Sequence, residues 1–411
     1  MTEQKLVKNV LTLWSFASFA GIASALFYIS MAHFLTVEQY GLLYSLVAFS
    51  YILTIPQETI RTVLARIVCK LNPEKEKGKI KYLFLKLVKQ MFFYGIIAFA
   101  VFLVLIPFLK PLFKTTFLPL FILGIALIFA FLSPIVWGLL QGLFRFKQLG
   151  LNNSVEMFFK LGIAVILVLM LPSDLKVIGA LIAIPMSILL TFVFGLIPIR
   201  DILKVKTKKF KEEGTSRYAL ASLTLFALVA AMYSIDVIIA RYFFTETVSG
   251  WYGGLSMIGK ALFFVAMNAK RVMLPSVAQK DKEVKKNKNL LLKTAILIIT
   301  LFTLFFIAAV FVPKPIVLVF LGSKYLPVIP YLKYIILAFA FFSLSNLFIF
   351  YNLSVNKNKK ISARILASGT FMQIALLIIF HSNLMQFITM ILIVNVLMFL
   401  LLLYVSLRKN Q

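Results

Sequence analysis

Apolar residues in this chain gather into long runs separated by short polar stretches, from one end of the sequence to the other. A membrane strand would show polar and apolar positions alternating at period two. The runs here are instead continuous and about 20 residues long, the length of a bilayer-crossing helix. On that criterion the pattern predicts about twelve spans: 9–34, 38–66, 84–109, 116–143, 150–171, 176–199, 217–243, 248–276, 290–312, 327–352, 361–381 and 384–407. The second and eighth are longer than a bilayer needs, so each is expected to tilt or to extend into the cytoplasm.

The connectors fall into two alternating sets. One carries Lys5 and Lys8, Lys70 to Lys81, Arg145 and Lys147, Lys204 to Lys211, Lys280 to Lys288, Lys357 to Lys360, and Arg408 with Lys409. The other, poor in basic residues, comprises Val37-Glu38-Gln39, the turn with Lys110 and Lys114, Ser173 to Lys176, Thr245-Glu246-Thr247, the turn with Lys314 and Lys324, and His381-Ser382-Asn383. Basic loops stay inside, so both termini are expected in the cytoplasm. The longest basic connector lies near mid-chain. It divides the sequence into an N-terminal six-helix lobe (1–199), a linker (200–216) and a C-terminal six-helix lobe (217–411). An even number of helices per half predicts a parallel repeat, two bundles related by a pseudo-two-fold axis along the membrane normal. Local sequence supports it: Thr36 precedes Gly41 as Thr245 precedes Gly250, and Tyr44 and Tyr252 follow the glycines. A basic residue, Arg61 or Arg271, follows some 20 positions later.

Composition agrees with an all-α integral membrane protein: 62% of the 411 residues are hydrophobic and only 14% charged, with mean hydropathy +0.99. The formal net charge of +29 would suggest nucleic acid in a soluble protein. In a membrane chain it is the charge of cytoplasmic loops, and no nucleic-acid partner is expected. Cys69 is the single cysteine, which excludes an intrachain disulfide and a cysteine-based metal cluster. The first segment lacks a clear cleavage site and is expected to be a true span. No metal-ligand cluster, nucleophile–base pattern, phosphate loop or dinucleotide fingerprint stands in the right context, so neither a cofactor nor a catalytic activity is expected.

Charged residues inside spans are costly and need a reason. Glu58 and Arg61, three apart after Pro56, can share a face and pair; Arg61 is equally a cytoplasmic-end anchor or a cavity residue opened by the proline. Glu156 and Lys160 are four apart, either an intrahelical ion pair or a site for an anionic headgroup. Asp236 and Arg241 are five apart, poor spacing within one helix, so each is expected to have another partner, with Arg241 snorkelling outward. Lys260 lies near mid-membrane with no interface in easy reach, while Lys270 and Arg271 read as cytoplasmic anchors. Asn346, Asn352, Gln373 and Asn395 are expected to bond neighbouring helices.

The turn Ala32 to Tyr44, the segment Leu139-Leu140-Gln141-Gly142-Leu143-Phe144-Arg145-Phe146, the stretch Asp236 to Tyr252 and the end Ala266 to Ala278 resemble, in order and spacing, polysaccharide flippases of the multidrug/oligosaccharidyl-lipid/polysaccharide (MOP) superfamily. The segment with Gln141 and Gly142 looks like that family's Gln-Gly element. The resemblance implies a transporter of the cell membrane that moves a polyprenyl-pyrophosphate-linked oligosaccharide to the outer leaflet, with membrane lipids and polysaccharide-assembly proteins as partners. Arg61, Lys160 and Lys260 would then line a cationic cavity suited to pyrophosphate. Asp236, Glu58 and Glu156 are candidates for ion coupling or counter-ions. Two alternatives stand beside it. A cation-coupled multidrug exporter of the same superfamily needs acids in the bundle, and Asp236 is the one deep carboxylate without a partner at helical spacing. A membrane polymerase or glycosyltransferase needs a large outer loop, for which the short outer connectors leave little room.

Overall fold

Helix forms nearly all the backbone of the computed structural model, which describes residues 3–71, 76–209, 216–278, 284–354 and 359–407. Side chains are described from residue 15 onward, except at 17, 216–222, 225, 267–278, 284–288, 290, 353–354, 359 and 407. The readings made above for the basic connectors at 72–75, 210–215, 279–283 and 355–358, for both chain ends, and for the side chains of Lys270 and Arg271 lie outside the described residues.

In chain order the helices are α1 (Glu3–Phe34), α2 (Val37–Leu53), α3 (Ile55–Lys70), α4 (Lys77–Phe113), α5 (Phe117–Ala130), α6 (Ser133–Gly142), α7 (Phe146–Met170) and α8 (Lys176–Gly195). After the short α9 (Arg200–Leu203) come α10 (Ser216–Phe243), α11 (Glu246–Ala278), α12 (Val284–Phe311), α13 (Pro313–Phe320), α14 (Ile329–Ser354), α15 (Lys359–Ile379) and α16 (Leu384–Leu407). Among the described residues, nine helical stretches are long and apolar enough to cross a membrane. Three of the expected spans are not among them. In α1 only Ser18–Phe34 reads as a shorter apolar helix, the second span is interrupted between α2 and α3, and the side chains of α11 are undescribed from residue 267. Large apolar side chains face outward, as on α4 at Phe93, Val104 and Phe108, the surface a helix presents to lipid.

The chain divides into two compact units, residues 1–34 with 46–230 and residues 35–45 with 231–411. In the first, α7 packs along α1 and α8, α3 lies on α6, and α5 is held between α4 and α8. One edge of this unit is tied by Asp201, whose carboxylate accepts from both terminal Arg145 guanidinium nitrogens (2.8 and 2.7 Å) and from Lys77 Nζ at 3.0 Å. The same edge holds the start of the linker: Lys208 N donates to Gly78 O at 3.0 Å and Lys81 Nζ to Val205 O at 2.9 Å.

In the second unit α14 is central, packed on α11, α12 and α16. Two of the four amides bond between helices as expected: Gln373 Nε2 donates from α15 to Met232 O on α10 at 3.3 Å, and Asn352 Nδ2 to Ser362 Oγ (2.9 Å) and Ser406 Oγ (3.2 Å). Asn346 Nδ2 instead donates within its own helix to Phe342 O at 3.0 Å, and Asn395 Oδ1 has no partner among the described residues. The repeated turn proves to be a pair of helix N-caps. Thr36 and Gln39 cap α2 reciprocally, each backbone N–H donating to the other side chain at 3.2 Å. Thr245 Oγ1 accepts from Val248 N at 3.3 Å at the start of α11. The two turns, 209 residues apart, lie against each other, and Thr247 Oγ1 donates to its counterpart Glu38 Oε1 at 2.7 Å.

Candidate functional site

Three interior helices of the first unit are irregular, and the irregularities meet at one cavity of about 130 Å³. The first is at Thr54, where α2 ends and α3 begins with Pro56 in its first turn; Ser50, Tyr51, Thr54 and Gln57 around it line the cavity. The second is at Phe131–Leu132, where α5 gives way to α6 with Pro134 in its first turn; Ala130, Ser133 and Trp137 line the same space. The third is Pro185 inside α8, flanked by the lining residues Ile184, Ser187 and Ile188. A proline withholds a donor from the carbonyl one turn earlier. In a membrane such broken backbone is tolerated where protein or a hydrated cavity surrounds it. The sequence reading used Pro56 but missed this convergence; prolines 56, 134 and 185 in the second, fourth and sixth expected spans were the available signal.

α7 supplies the charges. Glu156 and Lys160 both line the cavity, yet they form no ion pair within 4.0 Å among the described contacts. Lys160 Nζ instead lies over the rings of Phe27 (4.7 Å) and Tyr28 (5.6 Å) on α1. Glu156 Oε2 is buried with no hydrogen-bond partner. Among the described residues the cavity therefore contains a carboxylate oxygen that lacks a donor and an ammonium that lies over ring faces, within electrostatic reach of that carboxylate.

Arg61 sits beside this space on α3, held by the Gln-Gly element. Its Nε donates to Gln141 Oε1 at 3.0 Å, its guanidinium carbon lies 5.9 Å from the Trp137 ring centre, and Glu58 is 3.6 Å away with its side chain half exposed. Close approach of α3 and α6 makes this possible: a Cβ on Gly138 would stand 2.8 Å from Arg61 O. Trp137 is fixed in turn, its Nε1 donating to Asn152 Oδ1 at 2.9 Å while Asn152 Nδ2 donates to Thr191 O at 3.1 Å.

The other two predicted residues belong to the second unit and bind each other. Lys260 on α11 donates to Asp236 Oδ1 on α10 at 3.0 Å, with both side chains about 3% exposed. Tyr252 Oη (2.6 Å) and Ser256 Oγ (3.3 Å) donate to Asp236 Oδ2, and Lys260 also lies over the Tyr233 ring at 4.7 Å. Arg241 does not snorkel, which corrects the expectation. It is 1% exposed and bonds Glu246 Oε2 and Ser249 Oγ, both at 3.2 Å, at the start of the following helix. The spacing argument of Asp236 and Arg241 holds: each has a partner other than its neighbour.

The fold, with interior spans broken around a cavity of mixed apolar and polar lining, is that of the MOP-superfamily transporters. The chain superposes on the lipid II flippase MurJ in an inward closed conformation with a TM-score of 0.73 at 14% identity, covering 97% of this chain and 88% of that one. It superposes on an outward-facing multidrug resistance MATE family transporter with a TM-score of 0.66 at 14% identity, covering 99% and 98%. It is 28% identical over 312 residues to an uncharacterized membrane protein of Methanocaldococcus jannaschii, 70% of each chain. A family model described as polysaccharide biosynthesis protein matches residues 30–330, and the chain belongs to that family.

Proposed function

We propose that this protein carries a polyprenyl-pyrophosphate-linked oligosaccharide from the cytoplasmic to the outer leaflet of the cell membrane. The observation that supports it most is the cavity at the three helix breaks, where Glu156, Lys160 and several hydroxyl and amide side chains interrupt an otherwise apolar lining, since polar groups gathered inside a bundle suit a polar cargo whose acyl chain can stay in lipid. Family membership supports the cargo class. In this reading both termini are cytoplasmic and residues 1–199 rock against 217–411. Arg61 and Lys160 face the substrate. Lys260 is already matched by Asp236, so it acts as a balanced structural charge rather than a free cation. Glu58 and Glu156 set the local charge beside the two substrate-facing cations.

The test is complementation of a flippase-deficient strain, with accumulated lipid-linked sugar as the readout. Wild-type protein should clear the intermediate, and Arg61→Ala or Lys160→Ala, present at normal levels, should slow clearance roughly tenfold, as expected for loss of a charge-assisted bond. Normal clearance by both variants would overturn the assignment. Gln141→Leu should slow clearance severalfold by freeing the Arg61 guanidinium, whereas Gln141→Glu, which keeps an acceptor, should not; equal rates in the two would remove Gln141 as the positioning group. The open carboxylate oxygen of Glu156 favours a second reading, export of organic cations. Efflux of a cationic dye by the wild-type protein, without clearance of lipid-linked sugar, would select it.

A further inference from the structure

We propose that the cavity of the first unit is a saccharide subsite, in which the hydroxyl edge of one pyranose ring spans Glu156 and Lys160 beside Trp137. The inference rests on the flippase reading and specifies which part of the cargo this cavity holds.

A carboxylate only accepts hydrogen bonds and an ammonium only donates them. Among the described residues Glu156 Oε2 has no hydrogen-bond donor, and Lys160 Nζ makes no hydrogen bond but lies over the Phe27 and Tyr28 rings, within electrostatic reach of Glu156. Four residues apart on one helix, they lie side by side on one wall. A phosphate placed there would meet the Glu156 charge, and an organic cation would meet the Lys160 charge. A neutral hydroxyl fits both, because it donates one hydrogen bond and accepts others. Neighbouring hydroxyls on a sugar ring therefore satisfy the orphan acceptor and the ammonium together.

The rest of the cavity matches a ring that is apolar on its faces and polar at its rim. Leu123, Leu127 and Ile188 form part of the wall, while Ser50, Thr54 and Gln57 add hydroxyl and amide groups. Trp137 presents an aromatic surface held in place by Asn152. The volume of about 130 Å³ is close to that of an engineered cavity of roughly 150 Å³ that admits benzene, enough for part of one sugar ring. Arg61 lies outside this lining, and it is left for the charged linkage that adjoins the sugar.

The test uses full-length protein in detergent or nanodiscs. Trp14→Phe and Trp251→Phe leave Trp137 as the sole tryptophan, since the chain has three. Its fluorescence is titrated with neutral methyl pyranosides, with inorganic pyrophosphate and with a tetraalkylammonium salt. A second readout is the rate of thiol labelling at Ser50→Cys in a Cys69→Ser background. Pyranosides should change the Trp137 signal saturably, or slow labelling of the cysteine, and the two ionic probes should do neither. Glu156→Gln and Lys160→Met should each weaken the pyranoside effect at least tenfold in protein that elutes as a single species. A response to pyrophosphate or to the ammonium salt alone would overturn the subsite. So would a pyranoside effect untouched by both substitutions, or silence to pyranosides in both readouts. The flippase reading fails separately: wild-type protein that answers pyranosides but leaves lipid-linked sugar uncleared retains the subsite and loses that cargo.

Discussion

Lys260→Ala is expected to destabilise the protein by about 3–5 kcal/mol, the effect of stranding one partner of a buried ion pair. The removed ammonium is within 3.0 Å of Asp236 Oδ1. What remains to the carboxylate is Tyr252 and Ser256 on Oδ2, with neither solvent nor another described cation at hand. Asp236→Ala should cost a similar amount by stranding the ammonium among Tyr233, Tyr44 and Phe339. The double variant Asp236→Leu with Lys260→Met removes both charges and should recover most of the loss, since buried pairs replaced by apolar groups are often neutral. Detergent-solubilised variants compared by apparent Tm and by inactivation half-life would measure this. A double variant as unstable as the sum of the singles would show that the four polar groups act together and not as a pair.

This pair marks where sequence reading stopped. Lys260 was legible as a charge without an interface, and Asp236 as a carboxylate without a partner at helical spacing. That they belong to each other depends on how α10 and α11 pack, and a separation of 24 residues carries no such information. Glu156 and Lys160 show the opposite failure. Their spacing of four suggests a direct ion pair, yet the ammonium lies over aromatic faces on α1 and acts on the carboxylate only from beyond ion-pair distance. Arg241 was misread because hydropathy locates a residue along the membrane normal but does not show whether the interface there is covered by protein. The helical segments were legible, because apolar runs of bilayer length have few other uses. The helix breaks were legible only in part: a proline in a span announces a kink, and only packing brings three kinks to one cavity.

Gly250→Ala should cost about 3 kcal/mol, the upper end of the usual overpacking range, although the change adds one methyl group. A Cβ at Gly250 would stand 2.1 Å from Val37 O and 2.7 Å from Val37 Cγ1, and one at Gly41 would stand 2.7 Å from Gly250 Cα. The first contact and the last are with backbone, which cannot swing aside as a side chain can. Either substitution must push the start of α2 away from α11. That motion would break the Thr247–Glu38 bond and loosen Tyr40 against Tyr325, whose ring centres are 5.9 Å apart. Gly253→Ala on the same helix is the control: its nearest neighbour would be Tyr44 Cδ1 at an ordinary 3.5 Å. There alanine should be neutral or stabilise by up to about 1 kcal/mol through helix propensity. The contrast separates two reasons for a glycine in the repeat. If Gly41 and Gly250 serve only as flexible points, alanine at 250 and at 253 will shift apparent Tm alike. If they let counterparts 209 residues apart touch, Gly250→Ala will lower it by several degrees while Gly253→Ala will not.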